Sequence, residues 1–92
     1  MTYFSRKQVL ERLDVDEGFL VRLEREEIVV ADSPSEAPGE FSERMLERAR
    51  VTYTLVHDLD VNLEGAAIIV RMREELADLR RRLEAVVAQA RR

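Results

Sequence analysis

Ninety-two residues suffice for one small domain with a modest core, and a chain of that size often completes its apolar burial against a partner or a second copy. The absence of cysteine excludes disulfides, thiolate nucleophiles and Cys-ligated zinc or iron–sulfur centres. Charged residues make up 37% of the chain and the net charge is −4, unevenly spread: residues 11–40 hold ten acids and three bases, residues 61–92 five acids and seven arginines.

No basic stretch followed by an apolar run opens the chain. The longest apolar run, residues 66–70, falls far short of the ~20 residues a membrane span needs. A soluble, cytoplasmic protein with no membrane contact is expected.

In chain order, Ser5 with Gln8 three residues on predicts a capping box, and Val9, Leu10 and Leu13 recur on one face of a first helix over residues 5–13. Tyr3 and Phe4 precede that cap and are placed to staple the helix to the core, with Tyr3 also able to reach an interface. Asp16 predicts the cap of a second helix whose apolar face is Phe19, Leu20 and Leu23. The β-branched run Ile28, Val29, Val30 then breaks the helical period and predicts a short strand. The stretch "ADSPSEAPGE", residues 31–40, reads as a turn or loop, the tip of a minimal wing over residues 28–41.

Ser42 predicts the cap of a third helix with Leu46, Ala49, Tyr53 and Val56 inward, and Asp60 falls where the chain must turn, a place for the left-handed conformation. Asn62 then caps a last helix reaching about residue 90, with no proline and one glycine, hence ~40 Å long at 1.5 Å per residue. Along it Ile69, Met72, Leu76, Leu79, Leu83, Val86 and Ala90 alternate at spacings of three and four, the a/d seam of a coiled coil. That seam predicts a homodimer; the alternative, that it folds back on its own domain, is disfavoured because the helix outruns so small a core. Asp78 and Arg82 supply an i,i+4 pair on its exposed side.

Catalytic chemistry has little to work with. The single histidine, His57, beside Asp58 and Asp60 offers too few ligands for a metal, and its expected place is the solvent side of the third helix. There is no glycine-rich phosphate loop, and the adjacent acids Glu26-Glu27 and Glu74-Glu75 point in different directions on a helix. No enzyme, cofactor or metal is expected. Phe19, Leu20, Leu23, Phe41 and Tyr53 read as core rather than as a ligand pocket.

Two short helices, a wing, a third helix and then "DLDVNLEGAAIIV" leading into a coiled-coil helix together resemble the MerR superfamily over nearly the whole chain. The block Val61-Asn62-Leu63-Glu64-Gly65 is similar to the "GVNLxG" block shared by heat-shock repressors of the HspR type and by CbpM-type chaperone modulators. DNA readers of the superfamily carry "TLRYYE" in the second helix followed by Gly-Leu. The aligned residues here are Phe19 to Glu24, with Val21 in place of the arginine, Arg22 and Leu23 in place of the tyrosines, and Glu27-Ile28 in place of Gly-Leu. Where their wing ends in "RRYS", this chain has Gly39-Glu40-Phe41-Ser42. The fold residues are kept and the basic contacts are gone.

The resemblance implies an all-α fold with a minimal β wing: a MerR-like winged helix-turn-helix over residues 1–60, followed by a long coiled-coil dimerisation helix over residues 61–92. It further implies a CbpM-type regulator that binds the J-domain of a DnaJ-like co-chaperone and controls its action with Hsp70. Because J-domains present a basic helix to Hsp70, the expected partner surface is acidic: Asp14, Asp16, Glu17, Glu24, Glu26 and Glu27, with Arg22 available for one charge-assisted bond. The alternative is an HspR-type DNA-binding transcriptional regulator, with Arg44, Arg48 and Arg50 supplying phosphate contacts. The arginines of the last helix, interleaved with acids beside a heptad seam, read as the solvated face of a coiled coil rather than as a nucleic-acid stripe.

Overall fold

Helix α1 (Arg6–Leu13) opens with a complete capping box: Ser5 Oγ accepts from the Gln8 amide at 3.2 Å, and Gln8 Oε1 accepts from the Ser5 amide at 2.8 Å. It ends where Asp14 takes the left-handed conformation (φ 54°) and the Val15 amide donates to the Leu10 carbonyl. Two residues later Asp16 Oδ1 accepts from the Phe19 amide at 2.8 Å and starts α2 (Glu17–Arg25). Two aspartates thus make the tight turn of the helix-turn-helix, one by tolerating positive φ and one by capping. A computed structural model describes residues 2–92.

The end of α2 corrects the expected strand. Glu27 adopts φ 55° and donates to the Glu24 carbonyl at 3.1 Å, while Ile28 donates to the Leu23 carbonyl at 2.9 Å. This is a Schellman stop with glutamate where glycine is usual. The Val29 amide also points at the Leu23 carbonyl, at 3.4 Å. With both amides drawn back into the helix end, Ile28 and Val29 are buried in a turn and pair with no strand.

The two-stranded sheet comes from elsewhere. β1 (Tyr3–Phe4) pairs antiparallel with β2 (Phe41–Ser42), Tyr3 opposite Ser42 and Phe4 opposite Phe41. The wing over residues 31–40 is a loop, held at its base by Asp32, whose carboxylate accepts from the Ser42 amide at 2.7 Å and from the Ser42 hydroxyl at 2.5 Å. Ser42 also accepts from the Met45 amide and so begins α3 (Glu43–Tyr53).

On α3 the fully buried residues are Met45, Ala49 and Thr52, whereas Leu46, Tyr53 and Val56 are only half-buried. Leu46 and Tyr53 still pack against the core, as expected, and the inward face is wider than expected because α3 packs against α1 and β2 on one side and α4 on the other. The buried Thr52 hydroxyl is satisfied by the Arg48 carbonyl at 2.8 Å. Past Tyr53 the backbone widens into one π-helical turn (Thr54–Asp58), and Asp60 turns the chain at φ 59°, as its position suggested.

Helix α4 (Leu63–Ala90) starts with Asn62 Oδ1 accepting from the Gly65 amide at 2.7 Å. A Cβ on Gly65 would stand 2.9 Å from that oxygen, so the cap itself requires glycine there. The first two turns, through Ala66, Ala67 and Val70, lie buried against the rest of the domain, the small alanines permitting close approach. Farther on, α4 leaves the domain: the longest axis is 50 Å and the radius of gyration 15.5 Å, against ~12 Å for a compact chain of this length. Ile69, Met72, Leu76, Leu79, Leu83 and Val86 are 39–63% exposed on the helix face opposite the buried one. The seam therefore does not fold back on its own domain.

Candidate functional site

The residues expected to meet a partner lie around α2 but do not form one patch. Glu17 and Glu24, seven apart, share the flank that faces α1, where both bind one guanidinium: Arg6 Nε meets Glu17, and Arg6 Nη2 lies 2.6 Å from Glu24 Oε1. These bonds, Glu24's foremost, hold Arg6 still more firmly protonated than an arginine ordinarily is. Nothing local in the sequence marks Arg6 for this role, since its partners lie 11 and 18 residues away.

Arg22 and Arg25 occupy the other flank with Gly18, at helical spacing, and make no ion pair among the described residues. Asp14 and Asp16 stand exposed at the start of α2, and Glu26 and Glu27 at its end. Two clefts separate these groups. The first, of about 370 Å³, runs between the turn carrying Asp14 and Asp16 and the end of α3, and is lined also by Phe19, Arg22, Tyr53 and His57. The second, of about 480 Å³, lies between Arg22, Arg25 and Glu26 and the start of α4.

His57 is exposed, as expected, yet its ring stacks on Tyr53 with centroids 4.1 Å apart and planes 13° from parallel. Phe19 meets both rings edge-on, at 5.5 Å and 5.7 Å. The i,i+4 spacing of Tyr53 and His57 was the available signal for this pair.

The arginines considered for phosphate contacts all face carboxylates of the chain itself. Arg48 binds Glu74 through Nη2 at 2.5 Å and Nε at 2.8 Å, and donates from Nη1 to the Ile28 carbonyl at 3.1 Å. Arg44 reaches the same Glu74 at 3.1 Å, and Arg50 binds Glu47 at 2.6 Å. Arg48 first, then Arg44, draws the Glu74 carboxyl down to about 2 against the opposing effect of burial. Arg50 likewise lowers Glu47, with help from Arg73. Arg12 lies over the Phe4 ring, 4.6 Å from its centroid.

Among the described residues no group of three His, Asp or Glu side chains is arranged to hold a metal ion. No helix of the described residues is long and apolar enough to cross a membrane.

No curated protein and no solved structure matches the chain. The family model of the MerR HTH family regulatory proteins, by contrast, matches residues 4–86, from the first buried aromatic to the last residues of the exposed seam. With the capped helix-turn-helix, the small wing and the long terminal helix all in place, the chain belongs to the MerR family of helix-turn-helix regulators.

Proposed function

We propose that this MerR-family chain is a non-enzymatic, cytoplasmic regulator that binds a protein rather than an operator, and that its partner is the J-domain of a DnaJ-like co-chaperone, as in the CbpM-type modulators it resembles. The observation that carries this reading is the fate of the basic residues. Arg44, Arg48 and Arg50 on α3 are each turned onto a carboxylate of the chain, whereas Asp14, Glu26 and Glu27 have no basic partner among the described residues.

Duplex DNA is gripped chiefly by neutralising its phosphates, and each arginine already bound to a carboxylate must break that bond to contribute. A basic helix faces no such cost. It meets acids at both ends of α2, gaining association rate and selectivity from charge complementarity. The apolar seam of α4 supports a homodimer carrying two such surfaces.

The test is a calorimetric titration against the J-domains of the host's DnaJ-like proteins, at low and at physiological salt. Saturable heat that weakens with salt is expected, together with a marked loss of affinity when two of the acids, such as Glu26 and Glu27, are reversed to lysine. Absence of J-domain binding combined with sequence-dependent, steeply salt-sensitive binding to DNA would overturn the reading in favour of a DNA-binding regulator.

A further inference from the structure

The end of α3 exposes more ring surface than the core needs. Phe19 is buried, but His57 lies open to solvent on top of a half-buried Tyr53. The stacked pair sits where the helix widens to a π turn, Thr54–Asp58, a distortion found mostly as single turns and often at functional sites. The rings form one wall of the cleft of about 370 Å³, with Asp14 and Asp16 on its other side. Asp16 spends Oδ1 on the Phe19 amide, and the Asp14 carboxylate has no bond to any described residue.

Resting on the proposed protein-binding function, we infer that this cleft is the anchor for one arginine side chain of the partner, its guanidinium lying flat on the His57 ring and bonded by Asp14 and Asp16. A guanidinium suits such a wall because it is planar, weakly hydrated and stacks on aromatic faces while its N–H fork meets a carboxylate. An ammonium matches the charge but not the flat surface. Arg22 on the cleft's rim limits the positive charge the site accepts. It selects a single arginine rather than a basic run, and its own donors are free for a backbone carbonyl beside that arginine. Within the seven-residue surface expected from the sequence, Asp14, Asp16 and Arg22 thereby gain a specific task, and His57, which lay outside it, joins them.

The lone histidine makes the test clean. The ring signals of His57 are followed by NMR in the full chain during titration with a short capped peptide carrying one arginine, and with the same peptide carrying lysine. The expected result is a saturating ring shift with arginine and at least ~3-fold weaker binding of lysine, whose ammonium can neither lie flat on the ring nor offer a planar fork to the carboxylates. Asp14→Asn, which tolerates the left-handed turn, and His57→Ala, at an exposed position, should each weaken the arginine peptide ~3- to 10-fold, with amide shifts as the readout for the second. Equal binding of the two peptides, or an unmoved His57, overturns the anchor. A J-domain that binds without moving His57 refutes the anchor alone, whereas an arginine peptide that binds where no J-domain does refutes the J-domain reading alone.

Discussion

Arg48 and Glu74 join α3 to α4 through two hydrogen bonds, 2.5 Å and 2.8 Å long, while the third nitrogen of Arg48 holds the Ile28 carbonyl. One guanidinium thus ties together the stop of α2, the middle of α3 and the last residue of α4 that makes an ion pair with its own domain. The Arg48 side chain is 16% exposed and that of Glu74 31%, so removing either charge strands the other in a partly desolvated place.

Glu74→Gln should therefore destabilise the fold at neutral pH by about 1–2 kcal/mol, a figure reduced for partial exposure. The pH dependence has a definite sign. A carboxyl lowered to about 2 in the folded chain contributes stability above its unfolded value near 4.5, and that contribution is lost as pH falls from about 4.5 to about 2. Denaturant melts of the two proteins should accordingly converge across that window. A constant difference between them down to pH 2 would contradict the assignment of the shift to this ion pair.

Glu27→Gly should raise stability by about 0.5–1 kcal/mol, or a few degrees in Tm, because Glu27 holds φ 55° in a Schellman stop that glycine fills without strain. Part of the relief is offset by the greater freedom of glycine in the unfolded chain. Glu27→Ala removes the same charge but keeps the Cβ, and should give no such gain. If both variants stabilise equally, the cause is charge rather than backbone geometry.

Much of this fold is local and therefore legible in the chain. Ser5, Asp16, Ser42 and Asn62 each accept from the amide three residues on, because a cap depends on the residue and its immediate successors. Asp60 follows the same logic, and the seam of α4 follows from period alone. Ile28 and Val29 depart from the expected strand because β-branching reports burial as well as pleating, and the Leu23 carbonyl claims both their amides. The ion pairs that divide the acidic surface were beyond local reading. Arg6 finds Glu24 at a separation of 18 residues and Arg48 finds Glu74 at 26, distances at which only the assembled fold decides who meets whom.

Arg6 offers a direct probe of that division. Arg6→Gln leaves the half-exposed Glu17 and Glu24 uncompensated, making the surface around α2 more negative by one charge. Association with a basic J-domain should speed up by ~2- to 3-fold at low salt and by less at physiological salt, where screening acts over ~8 Å. Stopped-flow rates at the two salt concentrations measure this. Unchanged rates would place Glu17 and Glu24 outside the binding surface and leave the partner to the two ends of the helix.

The seam of α4 makes the sharpest structural prediction. Leu76 is 52% and Leu79 58% exposed, and both lie on the face turned away from Ala66, Ala67 and Val70. Carrying so many large apolar groups in water along ~26 Å of helix is unfavourable by roughly 25 cal/mol for each Å² that a second helix could cover. A second copy supplies a matching a/d surface. Leu76→Glu combined with Leu79→Glu should convert a dimer into a monomer in light scattering. Because these residues contribute nothing to the domain core, amide signals of α1 to α3 should persist in the monomer. A dimer that survives both substitutions would show that the interface lies elsewhere, whereas loss of the α1 to α3 signals would mean that the domain cannot stand without its partner.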